Sequence, residues 1–264
     1  MKTYKLIASL VAIVAASGST ASAVAISLNL EGAGASGFIN GAEFTNVSIG
    51  STGTGVISSF VRVQDNGIAD GYNATARPVM PDVNTSPTFT HDLLLSAVPL
   101  VTRSGINYYE FLLDINQTNN SPLLSLDMIQ IYTRSTALVT ANTLVALTGG
   151  PSVLRYNLDA GDAGNEIRLN YTLNSGSGSG DMFAYIPQTA FGSALGSDFV
   201  YLYSMFGAKG GAYEENDGFE EWAVRTPGTP PPPPNRVPDG GATLVLLGLA
   251  LSGLGIARRV SSKA

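Results

Sequence analysis

Residues 166–173 read Glu166-Ile167-Arg168-Leu169-Asn170-Tyr171-Thr172-Leu173, and apolar side chains alternate with polar ones throughout the stretch. Successive side chains of a β-strand point to opposite faces, so this alternation puts the apolar members on one face. One apolar face and one wet face are typical of a strand in an antiparallel sheet that covers a core on one side. The stretch therefore predicts an antiparallel β protein.

The same period-two pattern recurs along the chain between clusters of Asp, Asn, Ser and Gly that favour turns. About eight to twelve such strands are enough for two packed sheets. We expect the segment at 72–88, which holds three prolines, to be an irregular excursion over the surface. The prediction is all-β, a single antiparallel β-sandwich (jelly-roll-like) ectodomain at residues 24–225. Its other strand-like runs lie at 25–30, 44–49, 56–63, 107–115, 124–133, 199–206 and 219–224.

Charge limits the partners of this domain. Residues 24–235 contain eight Lys and Arg side chains against 19 Asp and Glu side chains, a net charge of −11, whereas the whole chain has −6. Such an acidic surface repels phosphate backbones, which makes nucleic acid an unexpected partner. The absence of cysteine excludes disulfides, thiolate metal sites, Cys nucleophiles and an acylated cysteine.

The N-terminus has the order of parts of a secretory signal peptide. Lys2 and Lys5 precede an apolar run at 6–16, and small residues follow up to Ala21-Ser22-Ala23. The run is short for a stable membrane span, and Ala21 and Ala23 fit the small-residue cleavage site. We expect a signal helix at 1–23 that signal peptidase removes between Ala23 and Val24; the alternative is an uncleaved anchor.

After the predicted sandwich, residues 226–236 form a linker with five consecutive prolines. Such a run prefers polyproline II, which makes it a stiff spacer of about 35 Å. Val237-Pro238-Asp239-Gly240-Gly241 then leads into an apolar segment at 242–257, and Arg258, Arg259 and Lys263 follow. As a helix that segment measures about 24 Å, barely a membrane span, and its basic end is expected inside.

This order of a Val-Pro-Asp-Gly-Gly turn, a short apolar helix and Arg258-Arg259 resembles the PEP-CTERM class of sorting signals, in its VPDSG-CTERM variant. The chain departs from the variant at Gly240, where Ser is common, and in the five residues that follow the arginines. The resemblance implies export, transient anchoring in the inner membrane and processing by an exosortase in a Gram-negative bacterium that makes extracellular polysaccharide.

A GPI signal also combines small residues with an apolar tail, and the chain contains Asn-x-Ser/Thr sequons. However, GPI tails normally finish in apolar residues, whereas this chain finishes in cations.

The body also resembles ectodomains that often precede this signal, a group that implies a secreted β-sandwich and no established enzymatic activity. The stretches that carry the likeness are 59–67, 110–117, 126–132, 174–186 and 217–222.

Candidate catalytic residues are few. The single histidine, His91, is expected at the surface or at a strand end, and no Gly-x-Ser-x-Gly elbow is present. Glycoside hydrolysis needs two carboxyl groups about 5 to 9.5 Å apart. Glu110 and Asp114 share a predicted strand face, on which we expect them to be neighbours, and Glu220 and Glu221 are further candidates. A solvated strand face explains them as well, so we predict no enzyme.

Calcium is the most plausible ligand, because hard cations take oxygens from Asp and Asn side chains in Gly-containing loops. The first candidate set is Asp65, Asn66, Asp70 and Asn73, and the alternative is that these residues only make turns. Looser sets are Asp159, Asp162, Asn165 and Glu166, and across two strands Asp114, Asn116 and Asp127.

Exposed aromatic rings would suit a carbohydrate. Phe199, Tyr201 and Tyr203 share one predicted strand face, which forms either a sugar platform or part of the core.

Taken together, the sequence favours an exported cell-surface or extracellular-matrix (biofilm) protein with a structural or interaction role. The alternatives are an exopolysaccharide-binding module and, less favoured, a glycoside hydrolase.

Overall fold

The computed structural model describes residues 24–46, 57–175, 180–216 and 218–225. Within these ranges the chain forms sixteen strands, one α-helix and four short 3-10 turns. The strands are β1 Ser27–Asn29, β2 Ser36–Ile39, β3 Ala42–Asn46, β4 Ile57–Val63, β5 Asn66–Gly67, β6 Ala69–Tyr72, β7 Leu93–Leu94, β8 Leu100–Arg103, β9 Ile106–Asp114, β10 Leu123–Arg134, β11 Val153–Asn157, β12 Glu166–Asn170, β13 Met182–Pro187, β14 Phe199–Phe206, β15 Glu215–Asn216 and β16 Glu220–Arg225. The helix α1 is Leu144–Thr148, and the 3-10 turns are Leu95–Ala97, Tyr171–Leu173, Gln188–Phe191 and Gly211–Tyr213.

Two sheets of seven strands make up the domain. Sheet A has the order β1-β12-β10-β14-β6, with β11 added to β10 and β7 added to β14. Sheet B has the order β2-β3-β13-β9-β16-β4, with β8 added to β9, and a small ribbon joins β15 to β5. The all-β prediction with antiparallel sheets is thus confirmed.

One pair departs from the antiparallel prediction, since β1 runs parallel to β12 with Ser27 opposite Glu166. The side chain of Asn165 fixes this register, because its Oδ1 accepts the Ile26 N–H at 2.8 Å. The parallel pair is confined to the edge of sheet A, where a short strand completes the sheet without a hairpin.

The core lies between the two sheets. Val200, Leu202 and Phe206 of β14 are fully buried, and they face Phe111 and Leu113 of β9 within one apolar cluster. The Nε1–H of Trp222 on sheet B donates to the Ser204 hydroxyl on sheet A at 3.1 Å. This bond identifies the inward faces, so odd-numbered residues of β14 and even-numbered residues of β9 point away from the core.

The stretch at 166–173 is only partly a strand. β12 ends at Asn170, and Tyr171–Leu173 form a 3-10 turn. The Asn170 side chain causes the change, because its Oδ1 accepts both the Thr172 N–H at 3.1 Å and the Thr172 hydroxyl at 2.8 Å. Such local side-chain bonds compete with the sheet ladder, and here they end the strand.

The segment after β6 is irregular, as predicted, but much of it is packed rather than laid over the surface. Val79 and Val83 are buried, and Arg77 donates to the carbonyl oxygens of five residues of the same segment. A guanidinium has five N–H donors, so it satisfies carbonyls that would otherwise lack partners in an irregular chain. Those five carbonyls belong to Ala74, Thr75, Ala76, Thr85 and Thr90.

The outer face of sheet A is covered by residues 135–149. The Leu138 N–H donates to the hydroxyl of Tyr201 at 2.9 Å, and the hydroxyl of Tyr72 donates to the Thr143 carbonyl at 3.0 Å. Tyr201 is consequently buried even though it points away from the inter-sheet core.

The predicted signal helix at 1–23, the linker at 226–236 and the tail at 237–264 lie outside the described residues. In the part of the chain that is described, no helix has the length and apolar character needed to cross a membrane.

Candidate functional site

Two arginines hold carboxylates on the outer face of sheet B. Arg225 binds Glu110, and both side chains are buried. Arg62 binds Glu221, with Nε donating to Oε2 at 2.6 Å, and its guanidinium lies between the rings of Phe89 and Phe219 at 3.6 and 4.0 Å from their centroids. Burial raises the pKa of Glu110, while the neighbouring Arg225 opposes the rise. Both glutamates are thus members of ion pairs, and removal of either arginine would leave a buried carboxylate without its cation.

The predicted pair of Glu110 and Asp114 is not a pair of neighbours. They lie four residues apart on β9, about 13 Å along an extended strand, with Leu112 between them. This spacing exceeds the range that glycoside hydrolysis uses. The carboxylate directly opposite Asp114 in the sheet is Glu221, which Arg62 already binds.

His91 has no acid–base partner of the kind a hydrolase uses in the described structure. Its Nδ1 lies 2.8 Å from the Asp92 carbonyl oxygen, and its Nε2 lies 2.9 Å from the Ser59 carbonyl oxygen. Both ring nitrogens therefore face backbone acceptors, and the ring ties the segment after residue 90 to β4. The prediction that the chain is not an enzyme stays a prediction.

The predicted calcium set is spread over separate structures. Asp65 and Asn66 stand at the small β5–β15 ribbon, whereas Asp70 lies on β6. Asn73 is fully buried, and its Oδ1 accepts the Leu202 N–H at 2.7 Å while its Nδ2 donates to the Val200 carbonyl at 2.9 Å. Asn73 thus has a structural role, and calcium at this set stays a prediction.

The two looser acidic sets bind backbone and side-chain donors. Asp159 Oδ1 accepts the N–H groups of Gly164 and Asn165 at 2.6 and 2.9 Å, which is the behaviour of a turn residue. Asp127, on sheet A, accepts the Ser125 hydroxyl at 2.7 Å and the Ala208 N–H at 2.8 Å. Within the described ranges, no three carboxylate or histidine side chains form a metal-binding group.

A different group of carboxylates gathers where β9, β13, β15 and β16 meet at one end of the sandwich. We call Asp114, Asp181, Glu215 and Glu220 the acidic cluster; each of them is at most 3% exposed. Asp181 Oδ2 accepts the Ile115 N–H at 2.8 Å, and Glu220 Oε2 accepts the N–H of the next residue, Asn116, at 2.9 Å.

The local chain path brings the members of the acidic cluster together. β13 pairs with β9 so that Met182 lies opposite Leu113, and this register puts Asp181 beside Asp114. Gly218 packs directly on the carbonyl of Asn116, where a Cβ atom would come within 1.4 Å of the oxygen. Only glycine allows this approach, which carries the chain from β15 into β16 and Glu220 into the interior.

Burial dominates the electrostatics of the acidic cluster, and repulsion between its like charges adds to the effect. Burial, together with Asp114, holds the pKa of Asp181 well above its usual value. Burial also holds the pKa of Glu220 well above its usual value, with Glu215 and Asp181 adding to the rise. Gln117 contacts the acidic cluster, because its Nε2 donates to Glu220 Oε1 at 2.5 Å.

Sequence reasoning missed Asp181, Glu215 and Gln117. Asp181 follows a Ser/Gly run and Glu215 follows another glutamate, so both have the local sequence of solvated turn residues. The sole usable signal was Glu220, whose position two residues before the buried Trp222 puts it on the inward face of a strand.

The aromatic face predicted as a core or a sugar platform is packed. Tyr201 and Tyr203 are 0% and 6% exposed, and Phe199 stacks on Tyr201 with ring centroids 6.5 Å apart. These three residues share a face, as expected, and residues 135–149 cover part of it. These buried rings do not form an exposed sugar platform. Carbohydrate binding elsewhere on the domain stays a prediction.

Comparison with known families gives one match, which lies in the C-terminal tail. The family model of the VPDSG-CTERM motif matches residues 236–260, which include Val237-Pro238-Asp239, the apolar segment, Arg258 and Arg259. Comparison with curated proteins and with solved structures gave no match. The matched region points to an exported protein and is consistent with processing by an exosortase. The chain therefore carries a C-terminal sorting signal of the VPDSG-CTERM type at residues 236–260.

Proposed function

We propose that this protein is delivered to the cell surface or the extracellular matrix by its tail, and that its β-sandwich serves there as a structural or interaction domain. The observation that carries the proposal is the match of residues 236–260 to the VPDSG-CTERM motif. In this proposal signal peptidase removes residues 1–23, and the apolar segment at 242–257 holds the chain transiently in the inner membrane. An exosortase then acts at Val237, Pro238, Asp239, Gly240 and Gly241.

The proposal gives the sandwich no catalytic step. Support comes from the engagement of the candidate acids, because Arg225 binds Glu110 and Arg62 binds Glu221. It also comes from His91, whose two ring nitrogens lie against backbone carbonyl oxygens. An acidic, packed sandwich on a stiff proline linker suits a domain displayed away from the membrane.

The test is pulse-chase labelling of the full chain in its host, with and without the exosortase. We expect two maturation steps in the complete host and only the N-terminal step in the host that lacks the exosortase. The precursor then stays in the envelope fraction. Replacing Pro231 and Pro232 of the linker with alanine is the matched control, and tail processing of this variant should be unchanged. Equal tail processing in both hosts would rule out the proposal.

A further inference from the structure

His91, the single histidine of the chain, points both of its ring nitrogens at backbone carbonyl oxygens. Nδ1 lies 2.8 Å from the oxygen of Asp92, and Nε2 lies 2.9 Å from the oxygen of Ser59. Both are hydrogen-bond distances, and a carbonyl oxygen can only accept. A neutral imidazole donates from one nitrogen, whereas the imidazolium donates from both. Only the charged ring therefore satisfies both contacts.

The contact with Ser59 lies at an edge of sheet B. β4 is the last strand of that sheet and pairs with β16 on one side. Residues 82–91, which we call the edge segment, take the place of a further strand on the other side. Three backbone bonds hold the edge segment to β4, from the N–H groups of Gln64, Asn84 and His91 to the carbonyl oxygens of Asp82, Arg62 and Phe60, at 2.9, 2.9 and 3.1 Å respectively. An open sheet edge can pair with another chain, so the edge segment protects β4.

Charged and titratable groups of both signs surround the ring. Asp92 follows it in the chain and favours the imidazolium, and Tyr201 interacts with that carboxylate from sheet A. Arg77 opposes the imidazolium, because its Nη2 donates at 2.9 Å to the carbonyl that precedes the ring in the chain. Arg62 on β4 is neutralised by Glu221. Since these charges offset one another, the two carbonyl acceptors decide which form of the ring fits.

We propose that His91 is a pH-sensitive latch that holds the edge segment against β4. As an imidazolium it donates to both carbonyl oxygens, and after loss of one proton it keeps one of these bonds and leaves the other carbonyl without this donor. Histidine commonly changes its charge between about pH 5 and pH 8. Folding provides partners for the protonated ring, so the stabilisation is fully present in acid and is lost as the pH rises. The edge of sheet B thus loosens in alkaline surroundings, whatever the fate of the tail.

Nuclear magnetic resonance of the ring tests the geometry, because a single histidine gives one set of ring signals. The sample is full-length protein in detergent with nitrogen-15 in its histidine. Both ring N–H hydrogens should be observed at about pH 5, since bonds to carbonyl oxygens slow their exchange with water, and one of them should disappear by about pH 8. Absence of both ring N–H signals at the lower pH would overturn the latch, because the ring would then face water.

Amide hydrogen exchange measures what the ring does to the edge segment. The comparison is with His91→Gln, whose side-chain amide can donate to one of the two carbonyls at any pH. The acidic cluster affects both proteins alike, so the ratio of wild-type to variant protection at the amides of residues 84 and 91 isolates the ring. This ratio should be about ten at pH 5 and fall to about one at pH 8.

The matched control is Asp92→Asn, which removes the neighbouring carboxylate and leaves the backbone carbonyl in place. Its protection relative to His91→Gln should follow pH as the wild type does. Loss of the pH dependence in this control would overturn the proposal, because the carboxylate and not the carbonyls would then hold the ring. A ratio of wild-type to His91→Gln protection that does not change with pH would overturn it as well. If His91→Gln fails to fold, the ring signals of the wild type still decide.

Discussion

The C-terminal tail and the β-sandwich encode their roles in different ways. The signal at 236–260 is a linear order of parts, and a family model matches it without any fold. In the sandwich, the adjacent residues Glu220 and Glu221 have opposite environments, since Glu221 binds Arg62 outside the sheet and Glu220 is buried against Gln117 inside. The difference teaches that a sorting signal is readable from a motif, whereas the environment of a buried acid depends on strand pairing. Mutations in the two regions should therefore have separable effects.

The largest expected effect comes from the tail. Replacing both Pro238 and Asp239 with alanine should abolish nearly all C-terminal processing, because the proposed exosortase reads this turn. The Tm of the sandwich should stay within about 1 °C of the wild type, since both residues lie outside the predicted sandwich at 24–225. Immunoblots of envelope and medium, with thermal unfolding of the purified chain, check both parts. Normal C-terminal processing of the double variant would contradict recognition of this motif by the exosortase.

The largest effect in the sandwich should follow loss of Arg225. The change Arg225→Ala leaves Glu110 as a buried charge without its arginine and should lower the free energy of unfolding by about 3 to 5 kcal/mol. Urea denaturation measures the loss. The double variant Arg225→Met with Glu110→Gln should recover most of it. A single variant as stable as the wild type would show that the buried pair contributes little.

The acidic cluster should make the free energy of unfolding depend on pH. Asp181 and Glu220 have pKa values raised in the folded state, so at these two groups the folded state binds more protons than the unfolded state. Their contribution to stability is therefore fully present below the unfolded pKa of about 4 and is lost as the pH rises through the folded pKa. Each pH unit in that range lowers the contribution of one such group by about 1.4 kcal/mol.

Chemical denaturation from pH 4 to pH 7 measures this loss. Glu220→Gln should make the fall of stability with pH less steep, whereas Glu214→Gln should not. The same pH dependence in Glu220→Gln and the wild type would contradict the raised pKa of Glu220.

The smallest expected effect concerns the bond between the sheets. Ser204→Ala removes the acceptor of the Trp222 Nε1–H, a buried donor, and should cost about 1 to 2 kcal/mol. The matched control Ser193→Ala lies at an exposed turn and should stay within about 0.5 kcal/mol. Equal unfolding midpoints for the two variants would show that this bond adds no stability.

The alternation of apolar and polar residues, together with the turn residues between them, was sufficient to predict the class of fold. These patterns did not predict strand ends that a side-chain hydrogen bond sets, or pairings with a strand far away in the sequence. The strand at 166–173 stops at Asn170 because that side chain binds Thr172, a local competition that the apolar pattern does not reveal. The parallel pairing of β1 depends on Asn165, which lies 139 residues further along the chain.

The candidate site depends still more on tertiary pairing. Asp181, Glu215 and Glu220 are brought together by the order β13-β9-β16 and by the close approach of Gly218 to Asn116. Nothing in the local sequence of Asp181 and Glu215 separates them from surface acids, whereas the position of Glu220 two residues before Trp222 does. The tail was readable because its recognition requires only the order of its parts.

The most direct test of the central claim, delivery by a tail that is removed, is the intact mass of the mature protein from hosts with and without the exosortase. We predict that the complete host yields a chain that begins at Val24 and lacks the apolar segment at 242–257. The host without the exosortase should yield a chain that still extends to Ala264. The same C-terminal mass in both hosts would contradict the account.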